Sequence, residues 1–138
     1  MSVSNPKAYY GRGVRSDWIH VGLRALNEKL AQRTPRKNIV LEYVEEQGRG
    51  GIVAFVHYDV LHIEALFVES AARKRGVGRD LVIEAERLGR LAGANHAWVD
   101  TFSWLEAEGF YLKLGYSVFG VLPYKHGEQY RAFLAKSL

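Results

Sequence analysis

The stretch Val68-Glu69-Ser70-Ala71-Ala72-Arg73-Lys74-Arg75-Gly76-Val77-Gly78 decides the fold of this chain. Three consecutive cations precede two glycines, and an amphipathic segment begins directly behind them. Leu81, Val82, Ala85, Leu88 and Leu91 recur at helical spacing, and Gly93 supplies the stop. Ahead of the loop, Leu61-His62-Ile63-Glu64-Ala65-Leu66-Phe67-Val68 is an apolar run broken by one carboxylate, the pattern of a half-buried strand. Strand, glycine loop and helix together make a site for a polyphosphate. The first N–H groups of a helix point outward, and its dipole favours negative charge there. Glycine lets the backbone approach the phosphates without a Cβ in the way.

Rival readings of the loop fail on spacing. A P-loop needs Gly-Lys-Ser/Thr, which is absent, and a dinucleotide fingerprint needs a third small residue where Leu81 stands. Its glycines should also follow the strand at once, whereas Gly76 lies well beyond Val68. Asp100, ending the next apolar run, is the best argument for NAD as a ribose ligand. A chain of 138 residues is too short for a dinucleotide fold and a substrate domain as well.

Length predicts one domain over residues 1–138, and a hydrophobic fraction of 48% with 25% charged residues is ordinary for a soluble globular chain. Cysteine is absent, which removes disulfides, thiolate metal sites and an acyl-cysteine intermediate. The five histidines show no zinc spacing, so no metal is expected, and no Gly-x-Ser-x-Gly elbow supports a serine hydrolase. Met1 to Gly13 lacks an apolar signal core and no run approaches a membrane span, so a cytoplasmic protein with no membrane partner is expected. The net charge is +4, with cations clustered at Arg33-Thr34-Pro35-Arg36-Lys37 and at Arg73-Lys74-Arg75. A polyphosphate accounts for the second cluster. No helix-turn-helix, zinc-knuckle or RNA-binding aromatic signature makes a case for nucleic acid.

Along the chain, residues 1–15 hold little beyond a short edge strand. Ser16 reads as the cap of a helix with an Ile19, Leu23, Leu26, Leu30 stripe, ended by Thr34-Pro35. Ile39 to Glu45 alternates as a strand, 47–51 reads as a glycine hairpin turn, and Ile52 to Tyr58 as the returning strand. Asp59-Val60 turns into the Glu64 strand. Ala97 to Thr101 is the next strand, and Ser103 with Glu106 reads as a capping box for a helix closed by Lys113 and Gly115. Tyr116 to Val121 and Tyr130 to Leu134 close the order β-β-β-α-β-α-β-β. This predicts an α/β (α+β) fold, a single mixed, mainly antiparallel sheet flanked by helices.

The spacing Val68-x4-Arg73-x2-Gly76-x-Gly78 between strand and helix resembles the acetyl-CoA-binding segment of the GNAT N-acetyltransferase superfamily. Further on, Glu108-Gly109-Phe110-Tyr111-Leu112-Lys113-Leu114-Gly115-Tyr116 is similar to that family's Phe-Tyr-x3-Gly-Phe/Tyr signature, in the family's order. The resemblance covers residues 38–134 well and the N-terminal third loosely. It implies a sheet splayed beside the Glu64 strand, with pantetheine in the gap. Leu66, Phe67 and Val68 would then contact pantetheine and the acetyl carbonyl. Arg73, Lys74, Arg75, Gly76, Val77, Gly78 and Arg79 would hold the pyrophosphate. A homodimer is implied by the resemblance alone. Family members carry Asn seven residues before the signature tyrosine; here Trp104 stands there, and either Ser103 or backbone replaces that contact or it is lost.

Direct transfer of an acetyl group from acetyl-CoA to a primary amine is therefore expected. A substrate ammonium, with a pKa of about 10, must lose a proton before it attacks. Glu64 lies four residues before Val68, on one face of an ideal strand, and is the expected general base. A cation-pairing role for Glu64 stays open, and His62 on the same face is the alternate base. Tyr111 is the expected general acid for the leaving thiolate, against a plain packing role beside Phe110. Trp18, Tyr43, Trp104, Tyr124 and Tyr130 are candidates to line an acceptor pocket. The acceptor itself, a small molecule or a peptide amine, is not specified. From another function class, a non-catalytic acyl-CoA-binding or regulatory module is the alternative, and turnover with any amine separates the two.

Overall fold

The computed structural model describes residues 17–31, 36–125 and 127–138. The chain divides into two compact units, residues 1–34 and 35–138. In the first, helix α1 spans Asp17–Ala31, with Asp17 in its first turn and Lys29 in its last, each the sign its helix end favours. The expected Ser16 cap, the Thr34-Pro35 stop and the N-terminal edge strand lie outside the described residues.

The second unit is built on one six-stranded sheet. Its strands are β1 (Lys37–Glu45), β2 (Gly48–His57), β3 (Val60–Val68), β4 (His96–Phe102), β5 (Ser117–Pro123) and β6 (Tyr130–Ser137), in the spatial order β1-β2-β3-β4-β6-β5. Only β3 and β4 run parallel; every other neighbouring pair is antiparallel. The parallel step requires a crossover, which helix α2 (Val77–Leu91) supplies. The mixed, mainly antiparallel sheet expected from the sequence is the one observed.

Helix α2 lays Val77, Leu81, Val82, Ala85, Glu86 and Gly89 against one face of the sheet. There they meet Ile52, Ala54, Leu61, Ile63, Val99, Ala132 and Leu134 in a continuous core. Leu91, expected in that stripe, is exposed. Burial of a carboxylate at Glu86 is offset by partners: its Oε2 accepts from the Tyr116 hydroxyl at 2.7 Å and its Oε1 from Lys136 Nζ at 3.0 Å.

Two local expectations are corrected. The β1–β2 turn is the pair Glu46-Gln47, since Glu45 faces Gly48, so Gly48, Gly50 and Gly51 belong to β2 and not to the turn. Close packing explains the glycine best at Gly50. A Cβ there would lie 3.0 Å from Val77 Cγ1 and 3.3 Å from Val68 Cγ2. Gly50 thus seats the start of α2 tightly against the sheet. Likewise Ser103 and Glu106 do not form a capping box. Ser103–Leu105 is a 3-10 turn, Glu106 adopts a left-handed φ of 53°, and helix α3 begins only at Glu108, running to Lys113. Ser103 Oγ instead accepts the Tyr130 N–H at 3.0 Å, tying this turn to β6. Gly115, at φ 95°, ends α3 as expected.

One irregularity shapes everything that follows. On β2 and β3, Val53 faces Ala65 while Ala54 faces Ile63, so Glu64 is the extra residue of a β-bulge. The pairing of β3 with β4 stops at the adjacent residue, Ile63 against Val99. From Glu64 onward β3 is free on that side, and the two parallel strands part.

Candidate active site

Where β3 and β4 separate, a cleft of about 650 Å³ opens. Glu64, Ala65, Leu66, Phe67 and Val68 form one wall; Val99, Asp100, Thr101 and Trp104 form another. Arg73 and Gly78 close one end, and Ala107, Phe110 and Tyr111 of the α3 region cover it. The structure thus brings together Glu64, Leu66, Phe67, Val68, Arg73, Gly78 and Tyr111, all singled out from sequence. Trp104 joins them, stacked on Phe102 at 4.4 Å between ring centroids. Tyr43, Tyr124 and Tyr130, also expected to line a pocket, are not among its walls. Tyr43 packs on the core and the Tyr130 hydroxyl donates to Glu108 at 2.7 Å.

The bulge corrects one geometric expectation. In an unbroken strand Glu64 and Val68 share a face; here the extra residue inverts the alternation. Leu66 and Val68 pack into the core on the α2 side. Glu64 points to the opposite face, where its Oε1 accepts from Arg36 Nη2 at 2.9 Å and Arg36 lies 3.6 Å over the Phe55 ring. His62 shares that opposite face with Glu64, as expected: its ring stacks on Trp98 at 3.8 Å and meets Phe55 edge-on. The cleft therefore reaches both faces of the sheet, with the α2 and α3 residues on one side and Glu64 on the other; His62 shares the Glu64 face but does not line the cleft.

Asp100 is the residue that sequence reasoning set aside with the NAD reading. Alternation along β4 places it with Trp98 on the Glu64 face, and its carboxylate borders the cleft. Arg131 of β6, diagonal to Asp100 because it faces Phe102, grips Oδ2 through Nε at 2.8 Å and Nη2 at 2.6 Å. His62 Nε2 lies 3.9 Å from Oδ1, beyond hydrogen-bond reach, and this buried nitrogen has no partner among the described residues. Burial lowers the His62 pKa below its usual 6.5, outweighing the pull of Asp100 and Glu64, so the ring is neutral at neutral pH. Tyr111 is buried beside them; burial, with a smaller push from Asp100, raises its pKa to about 12. Its phenol keeps its proton across the working pH range.

At the phosphate end, Gly76 takes a left-handed φ of 79° as the cap of α2, and its Cβ direction is open. Conformation, not crowding, is what requires glycine there. The ladder of α2 begins with the Asp80 N–H bonded to the Gly76 carbonyl at 2.9 Å. The N–H groups of Val77, Gly78 and Arg79 precede it and face outward. The cations differ in what they already do. Arg73 Nε donates to the Val68 carbonyl at 2.8 Å, and Arg75 is paired with Glu45 at 2.9 Å and bonded to Gln47. Lys74 and Arg79 hold no ion pair among the described residues. A Cβ on Gly78, which lines the cleft, would meet Phe110 at 3.5 Å, an ordinary contact, so the protein's own packing leaves room for one there. A chain of free N–H groups, unpaired cations and an open strand edge fits a pyrophosphate joined to an amide-bearing arm.

Known proteins share this fold. The chain is 35% identical over 75 residues to a blasticidin-S acetyltransferase from Streptomyces morookaense, and spans about half the length of that curated relative, as that stretch is 54% of each. Its fold superposes on an acetyltransferase from Bacillus cereus with a TM-score of 0.75 at 25% identity, over 95% of this chain and 98% of the other. It also matches an aminoglycoside 6'-N-acetyltransferase crystallised with coenzyme A, with a TM-score of 0.64 at 22% identity, over 88% and 87% of the two chains. Residues 8–116 match the profile of the acetyltransferase (GNAT) family. The chain belongs to that family.

Proposed function

We propose that this protein transfers an acetyl group from acetyl-CoA directly to a primary amine, with Glu64 as general base and Tyr111 as general acid. The observation that carries the reading is the cleft through the sheet, which lets two reactants approach one point from opposite faces. The coenzyme A held by a structural neighbour and the blasticidin-S acetylation named for a sequence relative support it. Acetyl-CoA supplies the thioester acyl group. Leu66, Phe67 and Val68 hold its arm along the free edge of β3. Gly76, Val77 and Gly78 offer backbone N–H groups to the pyrophosphate, and Arg73, Lys74, Arg75 and Arg79 offset its charge, the unpaired Lys74 and Arg79 most directly.

The proton steps fall to side chains on the two faces. Glu64 Oε1 is held by Arg36, and Oε2 has no partner among the described residues, so Oε2 accepts the proton of the incoming ammonium. Tyr111, on the other face, keeps its phenolic proton and delivers it to the departing sulfur. A phenol whose pKa burial raises to about 12 stays protonated, suited to stabilising a thiolate as the carbon–sulfur bond breaks. Calorimetric titration with acetyl-CoA, NAD serving as control, and thiol release with an amine panel test the reading. Micromolar binding of acetyl-CoA with turnover that falls at least tenfold in Glu64→Gln, and in Tyr111→Phe, is expected. Absence of acetyl-CoA binding refutes it; binding without turnover on any amine favours the non-catalytic alternative.

A further inference from the structure

Gly51 stands inside β2 with no packing demand for its missing side chain. A Cβ there would meet the Leu41 carbonyl oxygen at 3.3 Å and no side-chain atom within 4 Å. Gly50 faces α2, but Gly51 faces the other way with Val53, because alternation along β2 buries Ile52 and Ala54 on the α2 side. Glu42 and Phe67 stand directly across from Gly51 on the two neighbouring strands, and Val53 pairs with Ala65. The missing side chain leaves a groove of about 290 Å³, with Val44, Val53, Ala65 and Phe67 as its apolar walls. Val44 and Phe67 are largely exposed. A glycine inside a strand often marks a place where a ligand comes close to the backbone. The groove runs into the cleft, since Ala65 and Phe67 line both, and Glu64 stands on the same face. Of the charged groups at its rim, Arg49 and Glu69 hold each other at 3.2 Å, whereas Glu42 has no ion pair or hydrogen bond among the described residues.

We propose that this groove is the subsite for the body of the acceptor, an apolar segment that leads away from the reacting amine and ends in a second cation paired with Glu42. The inference rests on the acetyl-transfer reading and names what the site selects beyond the amine itself. Glu64 marks the reacting end. Two strand spacings across and about two residues along put the Cα atoms of Glu42 and Glu64 on the order of 12 Å apart. An apolar chain laid over Gly51 covers Val53, Ala65 and Phe67, surface that the fold leaves open to water. With Arg49 neutralised by Glu69, Glu42 is the unmatched charge at the far end, and it favours a cation there. Any side chain at position 51 would rise from the floor and close the groove, so Gly51 and Glu42 set the length and charge of what it takes.

Equilibrium binding tests this without turnover. The probe is 1,10-diaminodecane, long enough to reach both carboxylates. The controls are 1,4-diaminobutane, too short to reach both, and n-decylamine, which has one cation. Calorimetry is expected to show the probe binding at least tenfold tighter than either control. Gly51→Val, which fills the floor, is expected to weaken the probe at least tenfold. Glu42→Gln, at an exposed side chain without a partner, is expected to bring the probe down to the affinity of n-decylamine, and it decides the matter alone if Gly51→Val does not fold. Equal binding of the three amines, or native probe affinity in either folded variant, overturns the proposal. Thiol release from acetyl-CoA with the same amines reports separately. A probe held in the groove and never acetylated overturns the acetyl-transfer reading and leaves the groove's ligand class standing.

Discussion

Lys136→Met isolates the least conventional part of the core. Glu86 lies on the buried face of α2 with its side chain 4% exposed, while Lys136 of β6 is 23% exposed. Lys136 Nζ sits 3.0 and 3.2 Å from the two carboxylate oxygens, and the Tyr116 hydroxyl donates to Oε2 at 2.7 Å. Removing the lysine strands a carboxylate with one neutral donor. Breaking a buried pair this way costs about 3–5 kcal/mol, and the partial exposure of Lys136 lets water recover some, which sets the expectation at about 3 kcal/mol. For a domain of this size that corresponds to a fall in Tm of roughly 10 °C. Glu86→Gln should cost less, about 1–2 kcal/mol, because it leaves no anion behind and the freed ammonium can reach solvent. Combining the two should recover part of the Lys136→Met loss. Urea unfolding followed by tryptophan fluorescence measures all three. A Lys136→Met protein within 1 kcal/mol of wild type at unchanged m, or a Glu86→Gln loss exceeding it, would refute the reasoning.

Two other perturbations probe the site's supports. Gly50→Ala puts a methyl group 3.0 Å from Val77 Cγ1 and 3.3 Å from Val68 Cγ2, so it should cost about 1–3 kcal/mol and weaken acetyl-CoA binding several-fold by displacing the start of α2; calorimetry showing native affinity would count against the tight seating. His62 has its pKa lowered by burial, so the unfolded chain binds its proton first as pH falls. Stability attributable to this ring is complete above its usual 6.5 and declines below it toward the lowered folded value. Urea midpoints at pH about 7.5 and about 5.5 should therefore differ less in His62→Gln than in wild type, and parallel losses in the two proteins would remove burial of a neutral His62 as the cause.

What was legible in the sequence was local. The strand, loop and helix around Gly76 follow from an apolar run, a glycine loop and a helical stripe close together in sequence, and the structure has a strand and a helix on either side of that loop. The errors share one origin, in which a distant partner outcompetes a local preference. Gly48, Gly50 and Gly51 carry the composition of a turn, yet they pair with β1 as part of β2, with Ala72 packed close to Gly48 and Val77 and Val68 close to Gly50. Ser103 has the spacing of a cap, but Tyr130 N–H claims its oxygen from 27 residues away. The bulge at Glu64 has no composition signal at all, since neither proline nor glycine marks it; its evidence is a register between strands. Asp100 was visible as a carboxylate ending an apolar strand, but its orientation depends on Arg131, which only the β4–β6 pairing supplies.

The bulge and the parting of β3 from β4 fall at the same residue, and this coincidence connects fold to chemistry. A bulge increases local twist and bends its strand, which draws β3 away from a parallel neighbour that continues straight. The same extra residue inverts the alternation, sending Leu66 and Val68 toward α2 while Glu64 stays with His62 and Asp100. One inserted residue thus does two things that a two-reactant site requires. It opens a passage through the sheet, and it segregates the groups that hold an acyl donor from those that handle an amine. Were Glu64 in regular register, the side chains beyond it would exchange faces, and Phe67 would point into the core in place of Leu66 and Val68. The exposure of Phe67, 65% against the half-buried state of its neighbours, is the mark that this exchange has taken place.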